Sequence, residues 1–87
     1  MEQSIEKPKT REEILALSLD GRQQEIMHYQ INIDNYTIAL EEISKLSIAD
    51  QQELSAFSDQ LHNLLTSEKL EQKKAKIMLA VIQKQMG

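Results

Sequence analysis

Few side chains in this chain are equipped for chemistry. Two histidines and fourteen carboxylates are its principal candidates for metal binding or acid–base work, and there is no cysteine. Glu25 stands three residues before His28, and Asp59 three before His62, so each imidazole shares a helix face with one carboxylate. Two ligands per helix fall short of the three or four that hold zinc, and the H-E-x-x-H arrangement is missing. Only a hairpin that set His28 opposite His62 would gather four groups. Without that meeting, each histidine is expected to be a partly exposed helix residue bonded to its local acid, with no metal bound. Gly21 and Gly87 alone cannot build a phosphate-cradling loop. Serines and acids are plentiful, but no spacing gathers them with a histidine into a nucleophile, base and orienting acid. These counts lead to the expectation of a non-enzymatic chain without a cofactor.

The elements that would carry any site are helical. Eighty-seven residues with 2 Gly, 1 Pro and three aromatic residues lack the punctuation that many short strands require. One small all-α domain is therefore expected, without disulfides, and a cytoplasmic setting fits the absence of cysteine. The longest apolar run, Ile77 to Ile82, is far below the roughly 18–20 residues that span a bilayer. The opening MEQSIEKPKT has mixed charge and no apolar stretch, so it does not read as a secretory signal.

Helix signals divide the chain. Residues 1–9 read as a flexible tail, because polar side chains dominate and Pro8 disfavours a helix at Lys7. Thr10 and Glu13 form a T-x-x-E capping pattern, which starts a helix over about residues 11–19. Asp20-Gly21 reads as an interruption, with Asp20 capping a second helix over about 22–46. In it Ile26, Tyr29, Ile33, Tyr36, Leu40 and Ile43 recur at steps of three and four, the pattern of a coiled-coil seam. Met27, Ile31 and Ile38 make a second apolar line on another side, so this helix is expected to meet two neighbours. Ser47 caps the next start, and Leu54, Phe57, Leu61 and Leu64 form its apolar face, with Leu65 adjoining. The short link after Leu46 predicts an antiparallel hairpin.

Beyond Leu65 two readings stand. A single helix could run from about 48 to 86, or Thr66-Ser67 could divide it into helices over 48–66 and 68–86. Continuing the Leu54, Phe57, Leu61, Leu64 register would place Glu68 and Glu71 in the core, which favours the division. Either way the expected architecture is a small helical bundle or a long antiparallel helical hairpin with a short N-terminal helix.

Two known hairpin families come near this pattern and fail at their signatures. Ser55, Asp59 and Leu61 resemble the S-x-x-x-D element of the small sporulation phosphatase hairpins, but the intervening residues depart from it. A hairpin of this size also resembles the secreted W-x-G hairpins, but the turn Leu46-Ser47-Ile48 has no Gly and the chain no Trp. Neither family is assigned.

Charge is unevenly spread within the net −4. Residues 12–68 hold eleven acids against Arg22 and Lys45, whereas residues 69–87 hold five lysines against Glu71. Such asymmetry favours head-to-tail or antiparallel association, although lysines near a helix C-terminus also complement its dipole. Glu41, Glu42, Asp50 and Glu53 are candidates for an acidic partner-binding tip. Lys69, Lys73 and Lys76 share one helix face and could contact phosphates, but no arginine or aromatic accompanies them, so nucleic acid is the minor alternative.

The expected function is therefore protein binding. Tyr29, Tyr36, Ile77, Met78, Val81 and Ile82 are the residues expected to mediate self-association, as a dimer. The consecutive apolar residues 77–82 point all round a helix and require more cover than one small chain supplies. A self-associating regulator, inhibitor or adaptor of another protein is the first reading. A structural or assembly subunit is the second.

Overall fold

The helix signals resolve into two long rods and one short turn. The computed structural model describes residues 8–87, in the order α1 (Arg11–Ser44), α2 (Ile48–Glu53) and α3 (Ser55–Met86). The N-terminal tail reading falls mostly on residues 1–7, which lie outside the described residues, while residues 8–10 are non-helical. Helices α1 and α3 pack antiparallel along their length, so the chain is an all-α helical hairpin. Its radius of gyration is 20.4 Å, against about 12 Å for a compact chain of this length.

Helix α1 starts where its cap signal lies: the Thr10 hydroxyl oxygen accepts from the Glu13 amide at 3.2 Å. It does not stop at Asp20-Gly21, which corrects the division into helices 11–19 and 22–46. The Asp20 carboxylate accepts from the Gln24 side chain at 3.0 Å, one turn on, rather than capping a new start. Gly21 lies exposed on a flank of α1, one residue before the inward Arg22, with right-handed backbone, and a Cβ there would meet nothing within 4 Å. The reason for continuity is the seam. Leu15, Leu19, Arg22, Ile26, Tyr29, Ile33, Tyr36, Leu40 and Ile43 alternate at steps of four and three and all turn inward. A break at Gly21 would forfeit the first two turns of that contact to relieve only about 1 kcal/mol of glycine penalty.

The hairpin turn is held by side chains. Ser47 accepts from the Asp50 amide at 3.2 Å and starts α2. The Gln51 side chain folds back to donate to the carbonyls of Ser44 at 3.2 Å and Leu46 at 2.9 Å, satisfying acceptors that the end of α1 leaves open. The interruption before α3 falls at Leu54, which leaves the helical conformation only slightly.

Helix α3 then runs unbroken past Thr66-Ser67. The Thr66 hydroxyl donates to the His62 carbonyl at 3.0 Å inside the helix, so the division into 48–66 and 68–86 is corrected in favour of continuity. The inward residues explain why. They are Leu54, Ser58, Leu61, Leu65, Glu68, Gln72, Ala75, Leu79 and Ile82, again at steps of four and three throughout. Phe57 and Leu64, expected in the seam, lie one residue before Ser58 and Leu65 and are exposed, Phe57 by 47 %. Large apolar side chains marked the wrong stripe because the true stripe includes small and polar occupants. In it Ala75 is only 2 % exposed and Gln72 8 %.

Gly21 yields a direct prediction. Gly21→Ala adds a methyl group in open space within a helix interior and should stabilise the hairpin by about 0.5–1 kcal/mol. Urea unfolding followed by circular dichroism should show a higher midpoint at unchanged slope. A lower midpoint would mean that α1 bends at this position.

Candidate interaction surface

Among the described residues no three histidine or acidic side chains converge on a possible metal position, and no cavity is enclosed. The antiparallel register explains the first of these. Arg11 donates to the Gln85 carbonyl and side chain, at 3.4 and 3.3 Å, and Gln72 donates to the Ile26 carbonyl at 3.3 Å. In that register His28 stands near the level of Leu70, and His62 near that of Tyr36. The two histidines are therefore about eight residues, or ~12 Å, apart along the axis. The four-group site that would need them opposite each other does not form.

The middle of the seam is polar. Gln72 also donates to the Gln30 side chain at 2.9 Å, and Asn32 donates to Glu68 at 3.4 Å. Each burial of a polar group here is offset by a partner, and no buried side-chain polar atom is left unpaired among the described residues. Arg22 pairs with Glu25 at 3.1 Å along α1, with both side chains half-exposed, so the pair adds little stability. Tyr29 sits among these groups. Its phenol is raised above the usual 10.0, first by desolvation and then by the carboxylates of Glu25, Glu71 and Glu68, with Arg22 acting the other way.

Tyr29 and Tyr36, expected at a subunit contact, are half-buried in the intramolecular seam. Ile82 is buried there too, so of the six residues expected to meet a second copy these three already serve the hairpin. Ile77, Met78 and Val81 remain outside, with Ile77 63 % and Val81 42 % exposed. Of the seam candidates, Ile26, Ile33, Leu40 and Ile43 of α1 turn inward, as do Leu54, just before α3, and Leu61 within it.

The surface the seam leaves over is apolar on several sides. Leu17, Ile31 and Ile38 lie on the outer edge of α1, opposite its seam, with Met27 beside them. Leu70 and Ile77 lie on the outer edge of α3. Phe57, Leu64 and Met78 occupy one flank of α3, each one residue before a seam residue, and Val81 adjoins Met78 across one turn. Of the charged candidates, Glu41, Glu42, Asp50 and Glu53 are exposed near the hairpin tip, where Glu42 pairs with Lys45 at 3.1 Å. Lys69, Lys73 and Lys76 are exposed on α3 and form no ion pair among the described residues. The exposed flank was the feature missed in the sequence. Its signal is present, since Phe57, Leu64 and Met78 keep one heptad line, but the sequence reading divides that line, with Phe57 and Leu64 in the seam and Met78 at self-association.

Comparison with protein-family models, curated proteins and solved structures finds no match to this chain.

The Tyr29 environment predicts an alkaline limit to stability. A phenol raised in the folded state leaves the hairpin fully stable below the ordinary tyrosine range, and stability falls as pH rises through the folded value. In Tyr36→Phe, where Tyr29 is the one tyrosine left, tyrosinate absorbance should titrate with a midpoint above 10.0. A midpoint at or below the free value would show that the nearby carboxylates do not reach the phenol.

Proposed function

We propose that this chain is a non-enzymatic protein–protein interaction module that self-associates and acts on another protein as a regulator, inhibitor or adaptor. The observation that carries this reading is the apolar surface left outside the seam. A two-helix hairpin can bury one stripe per helix, and here Met27, Ile31, Ile38, Phe57, Ile77 and Val81 are among the large apolar side chains left in water. Among them Met27, Ile31 and Ile38 share one strip on α1, and Val81 adjoins Met78 on a second strip on α3, and apolar strips of this kind on a small chain mark contact sites. A cytoplasmic setting, consistent with the cysteine-free sequence, is part of the proposal.

A structural or assembly subunit is the second reading, and a specific feature favours it. Apolar residues lie on both outer edges of the hairpin, Leu17, Ile31 and Ile38 on one and Leu70 and Ile77 on the other. Two opposed sticky edges permit open-ended growth, whereas one permits only a closed pair. Sedimentation across a wide concentration range separates them, since a closed dimer reaches a plateau and a growing assembly does not.

Adjacent residues on α3 provide the sharper test. Ile82→Asp puts a charge into the seam, where the residue is buried, and should cost several kcal/mol and unfold the hairpin. Val81→Asp changes an exposed position and should leave helicity and melting of the single chain within about 0.5 kcal/mol while weakening self-association. Circular dichroism and sedimentation measured together check both. A wild-type chain that is monomeric and stable at every concentration would remove self-association from the reading.

A further inference from the structure

We propose that two copies of this chain pair face to face and antiparallel, α3 against α3, through the flank carrying Phe57, Leu64 and Met78, with the two-fold axis at Glu71. This rests on the self-association reading and specifies its geometry.

The first argument is the charge at the two ends of the hairpin. The tip, residues 41–59, carries Glu41, Glu42, Asp50, Glu53 and Asp59 against Lys45 alone, a net −4. The open end, residues 8–22 and 75–87, carries five cations against Glu12, Glu13 and Asp20, a net +2. Two copies laid side by side in the same direction would set −4 beside −4. Laid antiparallel, each tip lies along the other copy's cationic end, which is the arrangement Coulomb attraction favours.

The second argument is the symmetry of the flank. Leu64 and Met78 lie seven residues on either side of Glu71, on the same line of the helix, and all three precede seam residues by one. An antiparallel pair centred on Glu71 therefore sets Leu64 of each copy against Met78 of the other, giving two identical apolar layers. Phe57 then faces the level of Gln85, at the edge of the overlap. At the centre two Glu71 carboxylates approach, each already paired with Lys74 at 3.1 Å on its own helix. Two such pairs related by a two-fold axis make an alternating square of charge, so the centre is not a lone repulsive contact.

The size suits a reversible pair. From Phe57 to Gln85 the strip is ~42 Å long at about 1.5 Å per residue, and one helix makes it about 10 Å wide. That is on the order of 400 Å² per copy, the size of a weak contact rather than a permanent one. The contact is made by α3 alone, because the α1 residues on the same face, among them Ser18, Glu25, His28, Asn32 and Asn35, offer no apolar line.

The chain has no native cysteine, so disulfide cross-linking reads the arrangement directly. Cysteines are introduced singly at Glu71, Leu64 and Met78 in the full chain, and the variants are mildly oxidised. Glu71→Cys should cross-link with itself, and a mixture of Leu64→Cys and Met78→Cys should form the mixed dimer. Leu64→Cys alone should remain largely uncross-linked. A parallel pair would also join Glu71→Cys to itself, but there Leu64→Cys joins itself and the mixture fails. Pairing through the outer edges leaves all three uncross-linked, and either pattern overturns the proposal. Sedimentation of the wild type, run alongside, distinguishes the two levels: a stable monomer defeats self-association, whereas a dimer with the wrong cross-links defeats only this geometry.

Discussion

The structure depends on one contact, the antiparallel seam between α1 and α3. Each helix contributes nine inward positions at unbroken steps of four and three, from Leu15 to Ile43 and from Leu54 to Ile82. A single helix of this length has no independent reason to be straight or fully formed, because most helical stability in proteins comes from packing an apolar face. The seam supplies that face. It carries α1 through Asp20-Gly21 and α3 through Thr66-Ser67, two places where local signals alone would end a helix.

The seam is not uniformly apolar, and its polar members set its register. Leucine and isoleucine layers slide past one another at modest cost. Gln72 cannot, because moving it would strand a buried amide that now donates to Ile26 and Gln30. Asn32 with Glu68 and Arg11 with Gln85 fix the same alignment farther along. The carboxylates gathered around Tyr29 follow from that alignment, since Glu68 and Glu71 of α3 reach its level only in this register. A polar seam of this kind trades stability for a defined pairing.

A hairpin built on one seam has no third layer. Ile33, Leu61, Ala75 and Ile82 are its only buried apolar residues among those described. The apolar side chains on the outer faces are therefore the surplus of a sequence with more hydrophobic stripes than its own fold can pair. That surplus, with the opposed charges of tip and open end, is the physical basis for reading the molecule as one half of a larger contact.

Much of the fold was legible in the residues. The heptad line of α1 is apolar or aromatic at six consecutive positions from Ile26 to Ile43, and Thr10 and Ser47 are strong caps, so α1's seam, the turn and the antiparallel pairing follow from local chemistry. The scarcity of glycine and proline excluded strands for the same reason. The α3 seam was not legible. Its inward line includes Ser58, Glu68, Gln72 and Ala75, whereas a neighbouring line offers Phe57, Leu64 and Met78, and side-chain hydrophobicity alone prefers the second. Only the tertiary structure decides between them. Which line faces inward depends on what stands opposite, and the pairing of Gln72 with Ile26 and Gln30, together with the close approach that Ala75 allows, exists only once α1 lies alongside. The sequence by itself determined an all-α antiparallel hairpin turning at Ser47, while the continuity of its two arms through Asp20-Gly21 and Thr66-Ser67 was decided by the packed seam. Their mutual register determined which apolar stripe was consumed by the fold and which was left exposed.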